Sequence, residues 1–145
     1  MQTAAIASLR ASIAALERGP ADAASSPRHL PFDAPELDDR LPGRGLALGA
    51  VHEVFAGGPA VEHGAAPALF VAGVLARRPG PVVWIMARRD LYPPALARAG
   101  LDPGRIVFVE ARHGALRAME ESLRHPGLAG VAERVNDFDT AGFGI

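Results

Sequence analysis

The chain contains no cysteine, and its aromatic content is only 6%, with a single tryptophan and a single tyrosine. Without cysteine there is no disulfide framework, no thiolate zinc site and no cysteine nucleophile. An excess of one charge is missing too. Fifteen Lys and Arg residues against sixteen Asp and Glu leave a formal net charge of −1, so no strong global field draws the molecule onto nucleic acid or an anionic membrane. Contact with DNA must then be local or borrowed from a partner. Long apolar runs are also absent, because Arg, Pro, Gly or Glu interrupts each one before the roughly 20 residues that a spanning helix needs. Residues 1–17 lack the basic start, apolar block and small-residue cleavage site of a secretory signal. The expectation is a cytoplasmic chain that makes no use of a membrane. What is present is 145 residues with 49% hydrophobic and 21% charged residues, enough for one globular domain with a real core.

Ile6, Leu9, Ile13 and Leu16 recur at helical spacing and predict an amphipathic helix within residues 1–19, stopped by Gly19-Pro20. Its narrow stripe suits either a docking seam for a partner or a helix folded back on its own domain. Small and polar residues with Pro27 make residues 20–33 a linker. Residues 34–135 read as the core. A short helix is expected over Ala34–Arg40, a strand over Ala50–Phe55, an apolar helix over Ala65–Arg77, and a doubly covered strand over Val82–Ala87. Asp90 is the expected N-cap of a helix running through Arg98, with Gly100 as its stop. Arg105–Glu110 reads as a second buried strand, Gly114–His125 as a helix and Leu128–Val135 as a weaker fourth strand. This alternation predicts an α/β fold with an open, mostly parallel sheet and flanking helices.

A glycine loop between a first strand and a helix is where such folds place phosphates, since backbone N–H groups and a helix N-terminus converge there. The candidate loop runs through Gly57, Gly58, Glu62, His63, Gly64, Ala65 and Ala66. A working phosphate loop needs Lys and then Ser or Thr after its last glycine. Ala65 and Ala66 stand there instead, Glu62 adds negative charge, and the spacing from Gly58 to Gly64 is one residue too long. The loop reads as degenerate, kept for its backbone turn.

The segment from Gly45 through His52-Glu53-Val54-Phe55, the glycine loop and Val83-Trp84-Ile85-Met86-Ala87-Arg88-Arg89-Asp90-Leu91 resemble a RecA-like core. Together with Glu62-His63-Gly64-Ala65-Ala66, Ala99-Gly100-Leu101, Met119-Glu120-Glu121 and Arg124-His125-Pro126-Gly127-Leu128, the order and spacing resemble the ImuA family of damage-inducible mutagenesis proteins over about residues 1 to 131. The resemblance implies a partial RecA-like fold and a non-catalytic accessory in SOS-induced error-prone translesion synthesis, without a cofactor. It also implies contact with the Y-family-like polymerase protein ImuB, with RecA and with an error-prone replicative-type polymerase, and a cytoplasmic protein that joins the nucleoid on DNA damage. In RecA-type ATPases an acidic motif after the second strand activates water, whereas Arg88 and Arg89 occupy that stretch here. An arginine cannot serve as a general base. A RecA-type ATPase and a SulA-like division inhibitor that binds FtsZ are the competing readings.

Family members look longer, continuing to a basic C-terminal segment. Residues 136–145 read here as a polar, glycine-containing tail, aberrant or disordered, of the kind that truncation or a frameshift leaves. The first strand, expected to pair with the fourth, then becomes an apolar edge. Arg77, Arg78, Arg88, Arg89, Arg98 and Arg105 make the middle of the chain basic, which suits a phosphate, an acidic partner or a solvated rim. Arg88 and Arg89, with Ile6, Leu9 and Ile13 on the first helix, are the candidate contact residues. The five histidines form no ligand spacing for a metal, and Trp84 reads as core rather than as a stacking platform.

Overall fold

The computed structural model describes residues 2–17, 29–137 and 140–144, which divide between two compact units, residues 1–49 and 50–145. The first unit opens with helix α1 (Gln2–Glu17), on which Ile6, Leu9 and Ile13 are all exposed. The stop at Gly19-Pro20 and the linker over residues 20–28 lie outside the described residues. A pair of strands too short to announce themselves in sequence follows, β1 (His29–Leu30) and β2 (Leu46–Ala47), antiparallel with His29 opposite Ala47. Between them sits helix α2 (Pro35–Asp38), shorter than the expected Ala34–Arg40. The Asp38 carboxylate is buried and accepts hydrogen bonds from the N–H groups of Phe32 at 2.8 Å and Ala34 at 3.3 Å. That satisfies a charge which would otherwise be costly to bury. Residues 34–49, expected within the core domain, therefore group with the N-terminal unit.

The second unit is built on one strand. β4 (Val82–Met86) is β-branched or aromatic at each of its first four positions, and all five of its side chains are buried, as a strand covered on both faces requires. Parallel neighbours flank it: β5 (Ile106–Glu110), with Val82 opposite Ile106, and β6 (Gly130–Asp137), with Val82 opposite Gly130. Alternation then sorts the core. Val82, Trp84 and Met86 pack with helix α4 (Ala66–Ala76) and helix α5 (Pro93–Arg98), through Val71, Ala72, Leu75 and Leu96, and with Leu101 just beyond α5. Val83 and Ile85 face helix α6 (Ala115–Leu123), through Ala115, Ala118 and Met119. Each large side chain so buried contributes about 1.5–3 kcal/mol. The result is three layers with the sheet between helices, an α/β arrangement consistent with a partial RecA-like fold.

Several expectations change. The first strand, β3, is only Glu53–Phe55 and does not pair with the fourth. The chain beyond Val135 continues β6 to Asp137 and returns as β7 (Thr140–Gly144), giving the order β3-β7-β6-β4-β5. β7 runs antiparallel to both neighbours, with Val135 and Phe55 each opposite Gly142. A glycine-rich segment has little strand propensity of its own, and here its backbone is paired along both sides. Asp90 is not a cap, since α5 begins at Pro93 after Tyr92 with no side-chain cap. β5 is not a buried strand; it is an edge, exposed at Val107 and Phe108. Arg105, expected to add to a basic surface, instead turns inward and donates to the carbonyls of Gly80, Arg78, Ala76 and Leu75. A cation there meets the negative end of α4 and caps orphan carbonyls.

Candidate functional site

The glycine turn lies where β3 hands over to α4, at the edge of the sheet formed by strand C-termini, the usual place for a ligand in an open α/β sheet. It is not an open cradle. After Gly57-Gly58-Pro59 the chain makes a short helical turn, α3 (Ala60–His63), in which the N–H groups of Glu62 and His63 both donate to the Pro59 carbonyl, at 3.0 and 2.9 Å. Those two amides are thus spent inside the loop. The His63 ring lies against Gly58 so closely that a Cβ at Gly58 would overlap it. Glu62 and His63 are both exposed and approach each other at 3.8 Å, a contact worth little in water. Ala65 and Ala66 are exposed methyl groups at the start of α4, where phosphate chemistry calls for a cation and a metal-binding hydroxyl.

Beside the turn is a cavity of about 280 Å³, bordered by Gly64, Ala65, Leu69, Asp90, Tyr92 and Arg134. Its charged groups are a carboxylate and a guanidinium already joined: Arg134 Nη1 lies 3.3 Å from Asp90 Oδ1, with the Arg134 side chain only 19% exposed. Asp90 therefore does bring a carboxylate beside the glycine turn, neutralised by an arginine from β6. Sequence reasoning missed this pair because Arg134 reaches it through the register of β6 on β4, where it stands opposite Met86. No local spacing connects residues 90 and 134.

Arg88 and Arg89 follow β4 and are both exposed. Arg89 approaches Glu110 at 3.5 Å, and Arg112 approaches the other oxygen of the same carboxylate at 3.5 Å. This draws Arg89 towards the turn between β5 and α6. A second, more open cleft of about 760 Å³ lies there, lined by Glu110, Arg112, His113, Arg117 and Glu121. Arg88 and Arg117 have no ion-pair partner among the described residues. The structure thus gathers Arg89 with Arg112 and Arg117, two residues that sequence reasoning did not single out. The glycine turn is a separate place, and Ile6, Leu9 and Ile13 belong to the N-terminal unit. Among the described residues no group of three or more His, Cys, Asp or Glu side chains could hold a metal ion, and no helix is long and apolar enough to cross a membrane.

Comparison with known proteins adds a relative. Protein ImuA from two strains of Caulobacter vibrioides is 42% identical over 120 residues, which cover 78% of this chain. The chain spans about half (49%) of the length of these curated relatives. No family model and no solved structure matches it.

Proposed function

The chain belongs to the ImuA family of damage-inducible mutagenesis proteins, and from that membership we propose that it is a non-catalytic RecA-like accessory in SOS-induced, error-prone translesion DNA synthesis. It acts through protein contacts with a Y-family-like polymerase partner, ImuB, and in concert with RecA and an error-prone replicative-type polymerase. It meets DNA through these partners and joins the nucleoid on damage. The observation that carries the non-catalytic half is the chemistry of the glycine turn. Two methyl groups occupy the positions of the phosphate-binding cation and the metal-binding hydroxyl, and the amides of Glu62 and His63 already serve the Pro59 carbonyl. Phosphoryl transfer depends almost wholly on such positioning and charge. The nearby Asp90 is held by Arg134 and borders a mostly apolar cavity.

Co-purification tests the reading. The tagged chain, co-expressed with an ImuB-type protein, is expected to retain it through a salt wash and to show no magnesium-dependent ATP turnover. Turnover would instead favour the RecA-type ATPase. Retention of FtsZ in place of the polymerase protein would favour a SulA-like division inhibitor.

A further inference from the structure

We propose that the outer edge of β5, with the arginine-bearing cleft at its end, is a docking surface for an extended apolar segment of a partner protein that carries carboxylates where it passes the cleft. This rests on the reading that the chain works through protein contacts, and it names the surface and the chemistry of what binds there.

β5 is Ile106-Val107-Phe108-Val109-Glu110, apolar on both faces up to its last residue. That pattern belongs to strands with neighbours on both sides and helices above and below. Among the described residues β5 is the terminal strand of this sheet and pairs with β4 alone. Val107 remains 54% exposed and Phe108 39% exposed. They lie on opposite faces, opposite Val83 and Trp84 respectively. The usual protections of an edge are a bulge, a proline, an inward charge or a very short strand. β5 has none of the first three within it, and its register with β4 runs unbroken from Ile106 to Glu110. The opposite edge, β3, is three residues long, the very short strand that protects an edge. Of the two edges, β5 is the one whose backbone and side chains are prepared for another strand.

The charge at the end of β5 selects the occupant. Arg89 and Arg112 share the Glu110 carboxylate, while Arg117 has no ion-pair partner among the described residues. Spaced carboxylates can settle among these guanidinium groups as bidentate partners. A nucleic-acid backbone could meet the same arginines, but it has no backbone amides with which to extend the sheet along β5.

The test uses the whole chain and a fluorescein-labelled peptide of alternating valine and threonine flanked by aspartate pairs, read by fluorescence anisotropy at low salt. Saturable micromolar binding is expected, weakened about tenfold or more by Val107→Lys and by Arg112→Glu combined with Arg117→Glu. All these positions are exposed, so melting should be unchanged. No saturable binding, equal binding by the variants, or tighter binding of the same arginines to a single-stranded oligonucleotide would overturn the proposal. The same variants separate it from the function above. If the polymerase protein is retained equally by wild type and variants, this surface is refuted while the accessory role stands. If even the wild type fails to retain it, the accessory role falls, and the peptide titration alone decides this proposal.

Discussion

Two strand-to-helix turns lie at the same end of the sheet and differ in almost every chemical respect. The turn from β3 to α4 is rich in glycine, closed by its own hydrogen bonds onto Pro59 and flanked by Glu62 and the methyl groups of Ala65 and Ala66. The turn from β5 to α6 has one glycine, Gly114, in the left-handed region at φ 84°, and opens onto a cleft lined by Arg112, His113 and Arg117. Glycine makes a turn feasible, but cations and free donors make it a site. In this chain the two properties have separated.

The largest effect on that comparison should come from the residue that ties the start of β5 to the C-terminal end of α4. Arg105→Ala removes the guanidinium from a set of backbone carbonyls and should lower stability by about 2 kcal/mol, measured by urea unfolding. An unchanged midpoint would mean that water replaces it fully. Arg134→Ala comes next. It leaves the partly exposed Asp90 without its cation, and about 1 kcal/mol should be lost, with no gain of ATP turnover. A gain would show that Arg134 was masking a catalytic carboxylate.

Grafting the missing groups sharpens the contrast from the other side. Ala65→Lys with Ala66→Ser should still give no magnesium-dependent ATP turnover in a phosphate-release assay, because the Glu62 and His63 amides remain committed to Pro59. Turnover in the graft would mean that side chains alone had been lacking. The smallest effects belong to the exposed pair on the closed turn. His63→Ala and Glu62→Gln should each shift unfolding by less than about 0.5 kcal/mol, and Arg88→Ala with Arg89→Ala should leave melting unchanged while weakening partner retention.

Legibility in the sequence followed the range of the interaction. β4, α4 and α6 were readable because composition and period report burial locally, as Val82–Met86 does in full. β5 carried the same apolar signal, but a period cannot say whether a strand has one neighbour or two, and Val107 lies at the open edge. The start of α5 was misplaced because Asp90 has the right type for a cap while its carboxylate is engaged by Arg134, forty-odd residues away. β7 had no local signal, since its glycines disfavour a strand that only pairing with β3 and β6 defines. At the candidate site, the absences at Ala65 and Ala66 were readable directly. The spent amides, the Asp90–Arg134 pair and the convergence of Arg89 with Arg112 were not, because each depends on how the chain returns to itself.

Calorimetric titration of magnesium ATP into the purified chain bears most directly on the closed turn. With the amides spent and no cation or hydroxyl after Gly64, the expected trace is flat apart from dilution heat. A saturable, micromolar isotherm abolished by Gly64→Asp would contradict this and return the chain to the nucleotide-binding class.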